Sequence, residues 1–359
     1  MELLKFIEGK EFDQIEEELS KPPFCIRVSE DGDLYLLKYS QIDSEFSNPI
    51  VRECRGIVLE KWNNKIVAYP FDKFFNYAEK YADAIDWNTS KITEKIDGSL
   101  FKLFYYNGWN VGTNGTIDAF KALTPIGKSF GDLFMEASLK QGLDFNALNP
   151  DITYIFELVG PYNKVVVTYP ETKIYHIGAR NNISLLELDL DVGIEKPKQY
   201  HMRTIEECIE IAKSLSFSSE GYVVVDANWK RVKVKSPAYV AAHHLVNNGC
   251  VTRLRILDLI LQGETTEFVG YFPEYKKDIE EVEHKLNSYI QTIKEVYEKE
   301  IKQNINLDRK TFAQVATKYA YAYVFFALYD KKITQDDIEI FVRAVMPERL
   351  LQQINANKV

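Results

Sequence analysis

Three short runs carry residue types that can do covalent chemistry, in this order along the chain: Lys95-Ile96-Asp97-Gly98-Ser99, Ser219-Glu220-Gly221-Tyr222-Val223 and Lys233-Val234-Lys235. Lys95 is the candidate nucleophile. A free lysine amine titrates near 10.4, so about one in a thousand is neutral at pH 7, and only the neutral form attacks phosphorus. Bringing it near neutrality requires about 4 kcal/mol of differential interaction. Burial, the neighbouring Lys233 and Lys235, and a bound divalent metal could supply it. The Asp97-Gly98 turn brings the chain close to a ligand. Taken alone, the same run also fits an ordinary Asp-Gly hairpin preceded by a solvated lysine.

The other runs read in the same two ways. Lys233 and Lys235 are two residues apart, which on a strand puts both ammonium groups on one face. Such a pair suits a phosphate chain lying across it, or protects a solvated edge strand from aggregation. Glu157 in Tyr154-Ile-Phe-Glu157 and Glu220 in Glu220-Gly-Tyr-Val each adjoin an apolar strand. A carboxylate there can hold Mg²⁺ or accept from a ribose hydroxyl, or simply face solvent. Arg55 and Lys73 are single cations near glycine or aromatic residues. Phe74 and Phe75 can stack on a base, or be core rings pointing to opposite faces.

Other chemistries find little support. Gly127-Lys128-Ser129 resembles the end of a P-loop, but Ala122 stands where that pattern needs glycine. The four cysteines, Cys25, Cys54, Cys208 and Cys250, are scattered, and His243-His244 are adjacent, so neither a disulfide framework nor zinc is expected. A net charge of −9 argues against indiscriminate coating of nucleic acid, though not against a local cationic groove. No apolar run approaches the roughly 18 residues of a membrane span, and no secretory signal is read, so the expected location is cytoplasmic.

The elements that must position these residues read as strands in the first half. Asp33–Tyr39, Arg55–Glu60 and Lys65–Tyr69 are expected strands, the last two forming a hairpin around Asn63-Asn64. Lys91–Lys95 and Leu100–Tyr106 flank the Asp97-Gly98 turn. A helical stretch from Ile117 to Gly142 follows, with breakers at Pro125 and Gly131. Further strands are expected at Thr153–Glu157, Val165–Thr168, Ile174–Gly178, Gly221–Val225 and Arg231–Lys235, with a capping box at Thr204–Glu207. Beyond about Val246 the periodicity becomes helical: Thr252–Leu261, Asp278–Lys302, Lys310–Tyr329, a helix after Thr334–Asp337 and one opened by Pro347. The reading is an α+β domain over residues 1–245 and an all-helical domain over 246–359. The charged period around 280–306 also fits a helical scaffold surface.

As an ordered set, these runs resemble the covalent nucleotidyltransferase superfamily, and within it the ATP-dependent RNA ligase 1 family of tailed phages. Glu53-Cys54-Arg55-Gly56-Ile57, Lys73-Phe74-Phe75-Asn76, Lys95–Leu100, Phe156-Glu157 with Pro161–Val166, Glu220–Val223, and Lys233–Ser236 with Tyr239-Val240 each resemble a family motif. The resemblance implies ATP-grasp-like antiparallel sheets, followed here by a helical domain that chooses the RNA. It also implies a sequence of three steps. Lys95 takes AMP from ATP, AMP passes to the 5′-phosphate of an RNA strand, and a 3′-hydroxyl end is then joined to it. By the same resemblance, Arg55, Lys73, Lys233 and Lys235 hold phosphates, and Asp97 and Gly98 shape the nucleotide pocket. Glu157 and Glu220 meet ribose or metal (Mg²⁺, with Mn²⁺ an alternative), Phe75 packs near adenine, and Tyr239 touches phosphate or RNA. The implied partners are ATP and RNA ends, with no membrane and no oligomer required, in a phage-infected or bacterial cell. One departure stands out: Asn114-Gly115-Thr116 carries asparagine where the family often has lysine. The rival readings are a DNA ligase or capping enzyme, which would show an OB barrel after residue 245, and a non-catalytic RNA-binding protein of the same fold.

Overall fold

The computed structural model describes residues 1–124, 127–163, 165–244 and 251–356. Pro125, Lys164, Val246 and Cys250 lie outside them. The chain divides into two compact units, Met1–Val246 and Asn247–Val359.

The first unit is built on three sheets. One is a four-stranded antiparallel sheet in the order β1 (Ile26–Asp31), β2 (Leu34–Tyr39), β3 (Arg55–Glu60) and β4 (Ile66–Ala68). Asn64 takes a left-handed φ of 57° in the β3–β4 turn, so the hairpin expected around Asn63-Asn64 forms there. Helices α1 (Glu2–Ile7), α2 (Phe12–Leu19) and α3 (Pro49–Glu53) close one face of this sheet around Leu3, Ile15, Tyr35, Val51 and Ile57.

The other two sheets share the chain that carries Lys95. β6 (Lys91–Glu94) lies between β12 (Gln199–Tyr200) and β13 (Gly221–Val225); the row continues to β14 (Arg231–Lys235) and β5 (Phe75–Asn76). All of its pairs are antiparallel except β14 with β5. β7 (Ser99–Tyr105) belongs to the third sheet, ordered β11 (Glu187–Leu188), β10 (Lys173–Asn181), β9 (Ile152–Val159), β7 and β8 (Trp109–Thr113). The strands flanking Asp97-Gly98 therefore never pair with each other. Residues 95–98 are a crossover between sheets, and the hairpin alternative does not hold. The third sheet packs α4 (Phe130–Lys140) on a core of Phe101, Leu103, Phe134 and Phe156. The second packs α5 (Ile205–Lys213) on Tyr222, Val224 and Val232. Thr204 caps α5, its side chain accepting from the Glu207 N–H at 3.2 Å.

Three expected features change. The helical stretch expected from Ile117 begins only at Phe130: before it stand a short 3-10 turn, Ala119–Lys121, whose Phe120 N–H is capped by Asp118, and an isolated Leu123–Ser129 bridge. Val165–Thr168 is not a strand: the Val166 and Val167 N–H groups donate to the Asp97 carboxylate at 2.9 and 2.6 Å, leaving no ladder to join. Gly131 does not break the helix but lies inside α4. A Cβ there would come 2.6 Å from the Phe120 ring, so the glycine admits a close ring contact.

The second unit is helical throughout its described residues: α7 (Arg253–Gln262), α8 (Thr265–Tyr271), α9 (Lys276–Val296), α10 (Lys302–Asn304), α11 (Arg309–Ala316), α12 (Ala322–Tyr329), α13 (Ile338–Arg343) and α14 (Pro347–Ala356). α7 ends on Gly263 at a left-handed φ of 69°. α9 runs into α10 through a π-helical turn at Tyr297–Ile301 and buries Val282, Leu286, Ile290 and Ile293. The single helix expected over Lys310–Tyr329 is two. The break coincides with a Tyr319–Tyr321 stack and a 2.5 Å bond from the Tyr319 hydroxyl to Glu300, which tie the intervening turn to α9's continuation.

A buried ionic knot joins the second and third sheets. Glu187 of β11 accepts from Arg180 of β10 at 2.7 Å and from both Nη atoms of Arg231 on β14 at 3.0 and 2.6 Å. Burial pushes the Glu187 carboxyl up, but the charges and hydrogen bonds of Arg231 and Arg180 outweigh it and hold it below the usual carboxylate range. Replacing Glu187 with alanine leaves the buried Arg231 guanidinium without its carboxylate and Arg180 with only Asp72, 3.2 Å from its Nη1. We expect Glu187→Ala to lose about 3–5 kcal/mol of stability in urea unfolding at neutral pH. Because the folded-state value is depressed, this difference is fully present above the usual carboxylate range and fades as pH falls through the depressed value.

Candidate active site

Backbone hydrogen bonds fix the crossover at both ends. The Lys95 N–H donates to Gly221 O at 2.8 Å, locking the exit of β6 to the start of β13. At the other end Gly98 presses on β9: a Cβ there would stand 2.3 Å from Leu158 O and 3.0 Å from Val159 Cγ1. Only glycine permits that approach. Gly221 is under the same constraint, with φ 136° and a Cβ position 2.2 Å from Val234 O. Asp97, between them, is 3 % exposed and points inward. One of its oxygens accepts from the Val166 and Val167 N–H groups, and the other accepts from the Tyr239 hydroxyl at 2.7 Å. Asn163 adds a second strap, donating to Leu158 O at 2.6 Å and accepting from Ser99 Oγ at 2.8 Å.

The result is a cleft of about 370 Å³ whose walls include Arg55, Phe71, Phe74, Lys95, Gly98, Glu157 and Lys233. That size suits a nucleotide-sized ligand. Lys95 Nζ donates to Glu220 Oε2 at 2.7 Å, and Lys235 Nζ stands 3.8 Å from the other oxygen of the same carboxylate. Glu220 is 5 % exposed, so this pair of lysines shares a nearly dry carboxylate. Glu157 lies opposite Leu100 in the β7–β9 ladder and lines the cleft. Burial, reinforced by the negative charge of Glu220 and opposed by Lys95, pushes its carboxyl up to about 7. Arg55 lies over the Phe74 ring at 5.1 Å and Lys233 over the same ring at 5.3 Å. Arg55 Nη1 is buried with no partner.

Of the residues singled out from the sequence, Arg55, Lys95, Gly98, Glu157 and Lys233 line this cleft, and Glu220 and Lys235 stand against Lys95. Asp97 and Tyr239 are 3 % and 2 % exposed and bonded to each other. They position the crossover, and Tyr239 is no open phosphate or RNA contact. Phe75 and Lys73 are corrected. Successive residues of an extended segment face opposite ways, so Phe74 meets the cleft while Phe75 turns to Phe46 and Tyr81, ring centroids 5.8 and 5.9 Å away. Lys73 is boxed by Tyr39, Phe46 and Phe75 at 5.0–5.4 Å, and donates to Gln41 at 3.2 Å. It lines a second cavity of about 430 Å³, which shares Phe74, Trp229 and Arg231 with the first.

Phe71, Ile177, Gly178, Trp229 and Arg231 also line the cleft and were not singled out as cleft residues. Gly178 did carry a signal: a glycine inside an apolar strand marks a close approach. Here a Cβ would meet the Phe71 ring at 2.5 Å. Trp229 carried none, because its left-handed φ of 61° in the β13–β14 turn follows from Asp226 bonding the Asn228 and Lys230 N–H groups.

The two carboxylates can accept a divalent cation only with help. Among the described residues no group of three or more acidic, histidine or cysteine side chains is placed to hold a metal. Glu157 and Glu220 alone fit Mg²⁺, which takes one or two protein carboxylates and completes its shell from phosphates and water. Because Glu157 keeps its proton to about pH 7, any contact that needs it ionised must release that proton at lower pH. We expect metal-dependent ATP binding to tighten as pH rises through 7, with proton release visible by calorimetry in buffers of different ionisation heat. Glu157→Gln should flatten both.

A family model described as RNA ligase matches residues 53–239, just over half of the chain. A protein of Autographa californica nuclear polyhedrosis virus described as "Putative bifunctional polynucleotide kinase/RNA ligase" is 29% identical over 269 residues, 69% of this chain and 38% of that protein. An RNA ligase of Rhodothermus phage RM378 is 28% identical over 308 residues, 66% of this chain and 70% of that protein. Among solved structures, an archaeal ATP-dependent RNA ligase is similar with 14% identity and a TM-score of 0.42, over 96% of this chain and 81% of that one. The chain thus spans well under half the length of its viral relative. The matched segment runs from the residue before Cys54 to Tyr239 and so contains the whole cleft from Arg55 to Lys235: the chain belongs to the RNA ligase family.

Proposed function

We propose that the protein is an ATP-dependent RNA ligase that joins 5′-phosphate and 3′-hydroxyl RNA ends through a lysyl-AMP intermediate on Lys95. The observation that carries this reading is the seating of Lys95 Nζ, 2.7 Å from a nearly dry Glu220 carboxylate, in a cleft shared with Arg55, Glu157 and Lys233. In the first step Lys95 Nζ attacks the α-phosphorus of ATP, the bond to pyrophosphate breaks, and the amine's proton has Glu220 Oε2 as its acceptor. An oxygen of the RNA 5′-phosphate then attacks the same phosphorus and the lysine leaves. Finally the 3′-hydroxyl attacks the activated 5′-phosphate, AMP leaves, and the strand is closed.

The residues divide this work by position. Lys233 and Arg55, held over Phe74, neutralise phosphate charge as the transfer proceeds. Lys235 shares the Glu220 carboxylate with Lys95; its charge competes for Glu220 and so eases release of the Lys95 contact. Asp97 and Tyr239 hold the crossover still, which keeps the amine in line with the phosphorus. Glu157, with Glu220, would bind Mg²⁺ or Mn²⁺ together with the nucleotide phosphates, the metal supplying charge neutralisation there. Phe74 is the ring we assign to the nucleotide. Residues 1–245 form the adenylyltransferase domain in this reading, and the helical unit, over 246–359, contributes RNA choice. With no strand among its described residues, that unit speaks against the OB barrel of a DNA ligase or capping enzyme.

Incubation with ATP labelled at the α-phosphate, followed by denaturation, should leave an acid-labile adenylate on the wild-type protein and none on Lys95→Ala. The variant should lose sealing of 5′-phosphorylated RNA while still sealing RNA supplied already adenylated. Label retained by the variant, or absent from the wild type, overturns the assignment.

A further inference from the structure

One corner of the first unit gathers basic side chains that, among the described residues, make no ion pair. Lys38, near the end of β2, stands opposite Arg55 at the start of β3, so the two side chains leave the same face of the sheet. Lys38 Nζ reaches over the turn after β8, 3.4 Å from where a Cβ on Gly115 would sit. Beneath it Lys102, on β7, is fully buried and donates to Gly56 O at 2.6 Å. Lys102 shares a face of β7 with Leu100, which lines the nucleotide cleft, as does Arg55 itself. Burial, and then the nearby charge of Lys38, drive the Lys102 amine well below the usual lysine value.

Among the described residues, none of Lys38, Arg55 and Lys102 is ion-paired to a carboxylate, and both Arg55 Nη1 and Asn114 Oδ1 are buried without a partner. Like charges directly opposite one another on a sheet destabilise it. A folded protein keeps such a pair where something negative arrives between them. The ligand that matches two cations and an unfilled guanidinium N–H is a phosphate group. Asn114, at the same turn, is neutral where the family resemblance leads one to expect lysine.

We propose that Lys38 and Arg55 together grip a phosphate of the reacting substrates, and that Lys38 supplies from β2 the charge that Asn114 does not supply from the end of β8. This rests on the ligase reading above. The phosphate can come from ATP or from the 5′ end of the RNA, and the steps of the reaction separate the two sources.

The test uses the full chain and three variants: Lys38→Ala, Lys38→Arg, and Lys38→Ala combined with Asn114→Lys. Each is assayed for adenylation by ATP, for AMP transfer to 5′-phosphorylated RNA, and for sealing of pre-adenylated RNA. Lys38→Ala should slow one of the first two steps by about 10- to 100-fold, the range expected for one or two lost charge-assisted contacts. A loss in adenylation names the ATP phosphates, and a loss confined to transfer names the RNA 5′-phosphate. Lys38→Arg should stay within a few fold of wild type, and the added Asn114→Lys should recover most of the Lys38→Ala loss. A binding readout free of turnover uses Lys95→Ala as background. There, removing Lys38 should lower the slope of log affinity against log salt by about one for the same substrate.

Rates within about twofold of wild type for Lys38→Ala at every step overturn the proposal, as does a loss that neither arginine at 38 nor lysine at 114 relieves. Relief by arginine alone keeps the phosphate contact and overturns the exchange with position 114. If the wild type forms no lysyl-AMP, the ligase reading itself fails, while the salt-dependence measurement still reports whether Lys38 meets a phosphate.

Discussion

The buried carboxylate of Asp97 is the constraint on which the active site depends. It accepts from two backbone N–H groups after β9 and from the Tyr239 hydroxyl on α6 (Pro237–His244). A carboxyl group at 3 % exposure is costly unless it is hydrogen-bonded, and these three donors reach both of its oxygens. The same bonds pin the chain where it passes from the second sheet to the third, between two glycine-requiring approaches at Gly98 and Gly221. Lys95 begins this crossover, so its amine inherits a fixed address without needing its own packing.

Charge in the cleft is arranged in layers. Glu220, 5 % exposed, is matched by Lys95 and Lys235; burial outweighs the nearby cations at Glu157 and pushes its carboxyl up to about 7. Around them Arg55 and Lys233 lie over one aromatic ring, Phe74. The contrast with the Glu187 knot is instructive. There two guanidinium groups close on one carboxylate, and Asp72 pairs with Arg180 as well. At Lys38 and Arg55 the cations stand opposite each other, and among the described residues neither is ion-paired. The first pattern holds sheets together; the second invites an anion.

The two cavities share Phe74, Trp229 and Arg231 as a common wall. Arg231 is held by Glu187 on one side and lies 4.2 Å over the Phe71 ring on the other. The ionic knot thus supports the aromatic wall of the nucleotide cleft as well as the joint between sheets. A change at the knot will be felt at the cleft through Phe71 and Arg231, both of which line it.

Much of this was legible in the chain itself. Short apolar runs located β3, β13 and β14 to the residue, and caps at Thr204 and Gly263 located the ends of α5 and α7. The ordered lysines, glutamates and glycines around Lys95, Glu220 and Lys233 identified the family, because nucleotide chemistry demands those residue types in strands of fixed order. Local pattern does not say which strands pair, so the Asp97-Gly98 turn resembled a hairpin and proved to be a crossover. Nor does it say which of two neighbouring rings faces the ligand: Phe74 and Phe75 are equivalent in sequence, and only the parallel pairing of β5 with β14 turns one inward. The same holds for Lys38, 57 residues before Lys95. Its neighbours Arg55, Lys102 and Gly115 come from three separate strands or turns. Residue types and their order are set by the chain; the company each charge keeps is decided by tertiary contacts between segments distant in sequence, where Coulomb interaction and burial act.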